Sequence, residues 1–147
     1  MSFPTRVAAI LSWIALSAFW FGVRAQDSSR SVWDGIYTAE QASQGQTDYN
    51  QHCASCHAEN LAGADEAPPL SGGAFISNWN GLTVGDLFER IRTTMPLDNP
   101  PKLNRETKAR VLAYILSFNR FPSGVAALPD RTEALKLIRF EAERPKK

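Results

Sequence analysis

The 147-residue chain has few of the residues that most chemistry needs. It holds two cysteines and two histidines, all inside the six residues from His52 to His57. A structural zinc site wants four ligands, usually as two separated pairs, and no second cluster exists to supply the other pair. Apart from the initiator, Met95 is the sole methionine. Lys and Arg are absent from Ser31 through Glu89, a stretch that carries eight acidic residues, Asp34, Glu40, Asp48, Glu59, Asp65, Glu66, Asp86 and Glu89. No strand pattern, internal repeat or low-complexity tract stands out, and no βαβ context accompanies the cysteines. A thioredoxin-like redox pair is therefore disfavoured.

What is present begins with a targeting pattern. Arg6 precedes an uncharged, Ile-, Leu-, Phe- and Trp-rich run from Val7 to Phe21, and Val23-Arg24-Ala25 offers a small-residue cleavage site. Residues 1–25 are expected to be an export signal, with Gln26 as the new N-terminus. The alternative is an uncleaved anchor, although a spanning helix wants about 20 apolar residues and this run is shorter. Loss of Arg6 and Arg24 with the signal would take the formal charge from +1 to −1. Residues 26–32 are expected to form a flexible leader, 33–140 a single domain and 141–147 a frayed tail. From Arg90 onward the chain is basic, with Arg90, Arg92, Lys102, Arg105, Lys108 and Arg110. Part of this set is expected to steer one partner, whereas the acidic stretch faces another.

Helix signals dominate. Thr38 and Gln41 have capping-box spacing ahead of Ala42, Gly45, Tyr49 and Cys53 on one face. Leu61 to Phe75 is rich in Ala, Gly and Pro and is expected to be a loop. Thr83 and Asp86 cap a second helix with the stripe Val84, Leu87, Phe88, Ile91; Leu82 and Leu87 fit a hydrophobic staple, and Pro96 ends the helix at Met95. Asn104 caps a third helix whose apolar face is Val111, Tyr114, Ile115 and Phe118, widened by Leu112 and Leu116. A last amphipathic turn is expected from Asp130, with Glu133 at the box position, through Leu135, Ile138 and Phe140. The fold class is all-α.

Cys53-Ala54-Ser55-Cys56-His57 is the pattern through which haem c is bonded covalently, with the thiols adding across two vinyl groups and His57 beneath the iron. Met95, off its helix stripe and against a proline, is the remaining candidate for the second axial ligand, since His52 is held on the proximal side. The sequence offers no distal His or Arg arranged as in a peroxidase.

At these residues the chain resembles the class I c-type cytochromes, mono-haem proteins with crossed N- and C-terminal helices. The resemblance runs from about Trp33 to Phe140. It pairs Gly45 and Tyr49 with Tyr114 and Ile115 at the helix crossing. It also matches Pro68-Pro69-Leu70 to the family loop, implying that the Pro68 carbonyl accepts a hydrogen bond from His57 and that Leu70 packs on the haem. The segments Val32 to Thr38 and Asn78 to Phe88 are similar to haem domains that accompany PQQ-dependent dehydrogenases. Trp79 there is either a donor to a haem propionate or an ordinary core tryptophan. The implied function is periplasmic electron transfer through a His/Met-ligated haem, from a dehydrogenase to an oxidase or another cytochrome. Two alternatives stay open: a fixed haem subunit of a larger oxidoreductase, and a haem enzyme or gas sensor with a displaceable methionine.

Overall fold

The computed structural model of the protein describes residues 30–146, so the expected export segment and residues 26–29 of the expected leader lie outside the described residues. Among the described residues six α-helices run in the order α1 (Ala39–His52), α2 (Ala54–His57), α3 (Gly72–Trp79), α4 (Val84–Thr94), α5 (Arg105–Phe118) and α6 (Thr132–Leu135), with short 3-10 helices at Val32–Asp34 and Pro100–Lys102. Two-residue strands β1 (Arg30–Ser31) and β2 (Ile138–Arg139) pair in parallel. The fold is all-α, with this one short pairing that period-2 patterning could not have revealed in two residues.

The most extensive helix contact joins α1 to α5. Thr38 starts α1 by accepting from the Gln41 amide at 3.1 Å. The reciprocal half of the expected box is replaced: the Gln41 side chain instead bonds the Leu128 backbone, donating to its carbonyl at 2.9 Å and accepting from its amide at 2.7 Å. Ala42, Gly45 and Tyr49 form the buried face. At Gly45 the helices approach so closely that a Cβ would lie 1.8 Å from the Arg110 carbonyl oxygen. Beside it the Tyr49 and Tyr114 rings sit 5.3 Å apart, and the Arg110 guanidinium reaches the Asp48 carboxylate at 2.7 Å. On α5, Asn104 caps through the Thr107 amide, and Val111, Leu112, Tyr114, Ile115 and Leu116 are buried. Phe118 is 41 % exposed and only edges onto Tyr114, so it does not complete the expected face.

Helix α4 carries a full capping box, with Thr83 and Asp86 bonding each other's backbone amides at 3.1 and 2.9 Å. Leu87 is buried, whereas Leu82 is 44 % exposed; its backbone is engaged on both sides, its amide with Trp79 and its carbonyl with Phe140. Helix α3 begins inside the stretch expected to be loop and runs four residues past its end, burying Phe75 against Phe140. The expected Asp130 cap is also absent. Helix α6 begins after Arg131 with no side-chain cap, and the Asp130 carbonyl accepts from Arg105 instead. Leu135, Ile138 and Phe140 are buried as expected.

Packing extends past the expected domain edges. Ser31 and Val32 are buried rather than part of a flexible leader. On the other side, Glu141 accepts from the Ser31 hydroxyl at 2.5 Å and from the Trp33 indole at 2.9 Å, and the Ala142 amide bonds Asn80. The tail is held at least that far, because buried polar groups at Ser31 and Trp33 need acceptors.

Candidate haem site

The site begins where α1 ends. The Cys53 amide still bonds Tyr49 O, while its carbonyl starts the next turn by accepting from the Cys56 and His57 amides. That turn leaves Cys56 exposed and Cys53 half-buried, and it turns His57 inward to 7 % exposure. The two cysteines are not joined by a disulfide. Burial, with smaller contributions from Asp48 and then Cys56, pushes the Cys53 thiol up to about 11. The direction is opposite to that of the depressed thiols of redox-active pairs.

His57 Nδ1 lies 2.9 Å from the Pro68 carbonyl oxygen. A carbonyl only accepts, so Nδ1 is the donor in this bond, and in a neutral ring Nε2 is then the nitrogen that can bind a metal. The segment delivering Pro68 is fastened at several points. Gly63 N bonds His57 O at 3.0 Å, Leu70 N bonds Leu61 O at 2.8 Å, and the Ser71 hydroxyl bonds Leu61 O. Ala58, Leu61 and Asp65 all have positive φ, a concentration of unfavourable backbone that only surrounding contacts can maintain. Two further ties come from the long helices. The Tyr49 hydroxyl donates to Ala58 O at 2.7 Å, and burial keeps that phenol protonated. Asn119, at the end of α5, donates to Leu70 O at 2.9 Å and accepts from Gly72 N at 3.1 Å. Sequence reading overlooked Asn119, although a side chain with both a donor and an acceptor at a helix end was the available signal.

The structure thus joins His57 to Pro68 directly. Leu70 and Trp79 are half-buried and pack on the core beside Ile76 and Ile91. The Trp79 ring is 6.5 Å from Phe75, and its indole N–H has no partner among the described residues. Met95 caps α4, with its amide on Ile91 O at 3.0 Å, and is half-buried. The donor set fits a covalently attached haem: two cysteines at the right spacing and not joined to each other, an imidazole engaged through Nδ1 and not through Nε2, and partly covered apolar side chains. Among the described residues no three His, Cys, Asp or Glu side chains gather to hold a metal ion by themselves.

The basic set differs from expectation. Lys108 is 2 % exposed, donating to the Arg92 and Pro100 carbonyls at 2.9 and 2.7 Å. Arg110 is held by Asp48 and Glu106, Arg92 by Glu89, and Arg105 by Asp130 O and Thr132 over the Phe88 ring. Of the six, only Arg90 and Lys102 are exposed and unpaired among the described residues. The others were positioned by the helix faces they share with carboxylates and carbonyls, which a charge count along the chain does not register.

Residues 40–115 match the family model described as cytochrome c oxidase, cbb3-type, subunit III, a little over half of the chain. The chain belongs to this family of c-type cytochromes. It is a mono-haem cytochrome whose haem c is bound covalently, and its general role is electron transfer. Among solved structures the cytochrome is similar to the sulfane dehydrogenase SoxCD from Paracoccus pantotrophus. The identity is 18 % and the TM-score 0.49, over 74 % of this chain and 61 % of that one. The cytochrome thus spans less than two thirds of that chain. No curated protein matches. Among the described residues no helix is long and apolar enough to cross a membrane.

Proposed function

We propose that this cytochrome carries single electrons in the periplasm, accepting them from a dehydrogenase, in one version PQQ-dependent, and passing them to an oxidase or another cytochrome. The observation that supports His57 as a ligand is the 2.9 Å contact of its Nδ1 with Pro68 O, which leaves Nε2 for the iron in a ring that directly follows Cys56. Cys53 and Cys56 would hold the haem, and His57 and Met95 would be the axial ligands. Bound haem supplies an iron that alternates between two oxidation states. The chain's own residues set its environment. Pro68 O fixes the His57 ring and raises its basicity. Leu70 covers the site with apolar surface, and a thioether ligand in such surroundings favours the reduced, less charged iron. Trp79 has a free indole N–H to offer a propionate. Two side-chain ligands leave no position for a substrate, so the proposed role is a carrier and not an enzyme. Residues 1–25 would direct export, and 30–142 would form the working domain.

A second reading is a fixed haem subunit within a larger oxidoreductase. It is favoured by the family's description as an oxidase subunit.

The ligand assignment is tested by spectroscopy. Ferric protein should show the weak red charge-transfer band of sulfur-bound haem, reduced protein should resist carbon monoxide, and Met95→Ala should lose the band and open the iron. Rapid carbon monoxide binding by the wild type would refute it and favour the sensor or enzyme. Co-purification of native protein then separates shuttle from subunit: a free carrier should migrate alone.

A further inference from the structure

Pro96 creates a problem in the backbone that leads to Met95. In a helix the carbonyl of Arg92 would accept from the amide of residue 96, four positions on, and proline has no N–H to give. Helix α4 therefore ends with an acceptor that the helix itself cannot satisfy. The segment beyond has little to hold it. Leu97 is 82 % exposed, Asp98 and Asn99 are exposed, and the internal bonds are Asn99 N to Pro96 O and Lys102 N to Asn99 O.

The missing donor comes from another helix. Lys108 projects from α5 with its ammonium 2.9 Å from Arg92 O and 2.7 Å from Pro100 O. One buried group thus bonds the chain on both sides of Met95. At 2 % exposure Lys108 has no carboxylate partner among the described residues, and burial followed by the nearby Arg92 cation holds its pKa below the usual lysine range. Keeping a charge there is costly unless its bonds to the two carbonyls compensate. A lysine serving only as filler would be better replaced by leucine or methionine.

We propose that Lys108 is a positioning residue for Met95: its ammonium ties the end of α4 to Pro100, closing the methionine loop at both ends so that the thioether is held at the iron. The inference rests on the assignment of Met95 as axial ligand. Without the tie, the loop from Thr93 to Asn99 should spend more time displaced, and an added ligand should compete more easily for the iron.

The test is imidazole titration of ferric holoprotein, followed by loss of the charge-transfer band. Four proteins are compared: wild type, Met95→Ala, Lys108→Leu and Tyr37→Phe. The last removes a buried hydroxyl that donates to the Phe121 carbonyl, outside the methionine loop. It reports what general destabilisation does. Lys108→Leu should bind imidazole about tenfold more tightly than wild type, equivalent to ~1.4 kcal/mol, from the loss of charge-assisted hydrogen bonds. Tyr37→Phe should stay near wild type even where its melting temperature falls. Equal imidazole affinities for Lys108→Leu and wild type, with the band lost in Met95→Ala, would overturn the positioning role and leave the ligand assignment standing. An equal rise in Tyr37→Phe would overturn it too. A wild type that lacks the band and titrates like Met95→Ala would overturn both. Should Lys108→Leu fail to retain haem, Lys108→Met, which keeps an unbranched side chain but no donor, is judged by the same criteria.

Discussion

Replacing Gly45 with alanine tests the helix crossing on which the site is built. The added methyl would sit 1.8 Å from the Arg110 carbonyl oxygen, 2.4 Å from its carbon and 3.1 Å from Tyr114 Cβ. The first two are backbone atoms of another helix and cannot rotate away. Restoring ordinary contact at 3.4 Å requires α1 and α5 to separate by about 1.6 Å at this point. That motion would loosen the Tyr49–Tyr114 packing and stretch the 2.7 Å Asp48–Arg110 pair. Overpacking of this kind costs about 3 kcal/mol, and alanine's better helix propensity offsets ~1 of it. The net loss of about 2 kcal/mol should lower the melting temperature by roughly 10 °C for a domain of this size. Thermal unfolding followed by circular dichroism of the holoprotein measures it. Gly73→Ala is the internal comparison: that position is also helical, has ordinary φ, and its Cβ would meet nothing within 4 Å. It should hold or raise stability. If Gly45→Ala melts with the wild type, the crossing is not as close as described and the reasoning fails.

Acid should weaken the fold through α4. The Arg92 guanidinium holds the Glu89 carboxyl down to about 2 from 4.5, and Thr83 holds Asp86 below its ordinary value. Both groups have lowered folded-state values, so their stabilisation is complete above pH 4.5 and is lost as pH falls toward 2. Melting of Glu89→Gln across that range should be less pH-dependent than wild type; parallel curves would contradict this. Asn119→Leu should cost about 2 kcal/mol, since it strands Leu70 O, and should speed hydrogen exchange at the Leu70 amide. Unchanged exchange would mean that α5 does not restrain the proline loop. Lys102→Glu should slow electron transfer with an acidic partner at low salt, with the effect fading as screening shortens to about 8 Å. Arg92→Glu should instead lower stability, because it sets two carboxylates against each other.

The haem motif was legible because its chemistry dictates its spacing, and the three long helices were legible because each carries a capping side chain and a buried stripe. Thr38, Thr83 and Asn104 cap as their positions suggest. Helix α3 was hidden because it opens on Gly72 and Gly73 and its eight residues bury only Phe75, too short a signal against two glycines. The Asp130 cap looked sound locally but lost to tertiary context, in which Arg105 takes the Asp130 carbonyl. Lys108 and Arg110 read as surface charge for a similar reason: their partners, Pro100, Arg92 and Asp48, come from other elements. Local pattern fixes what a segment becomes, whereas the employment of a polar side chain depends on what the fold brings to it.

The meeting of Ser31 with Glu141, beside the β1–β2 pair, makes the described domain nearly a closed loop of chain. A short linker from residue 146 back to residue 30 would turn it into a ring. The ring could then be opened at Val125–Ala127, where all three residues are exposed. Such a circular permutant would keep every helix contact while moving both ends to a different part of the surface. The wild type and the permutant, each tethered to an electrode through its N-terminus, would be attached by different points on one redox protein. Their relative rates of electron exchange would show which side of the molecule electrons leave from, without altering a residue near the haem.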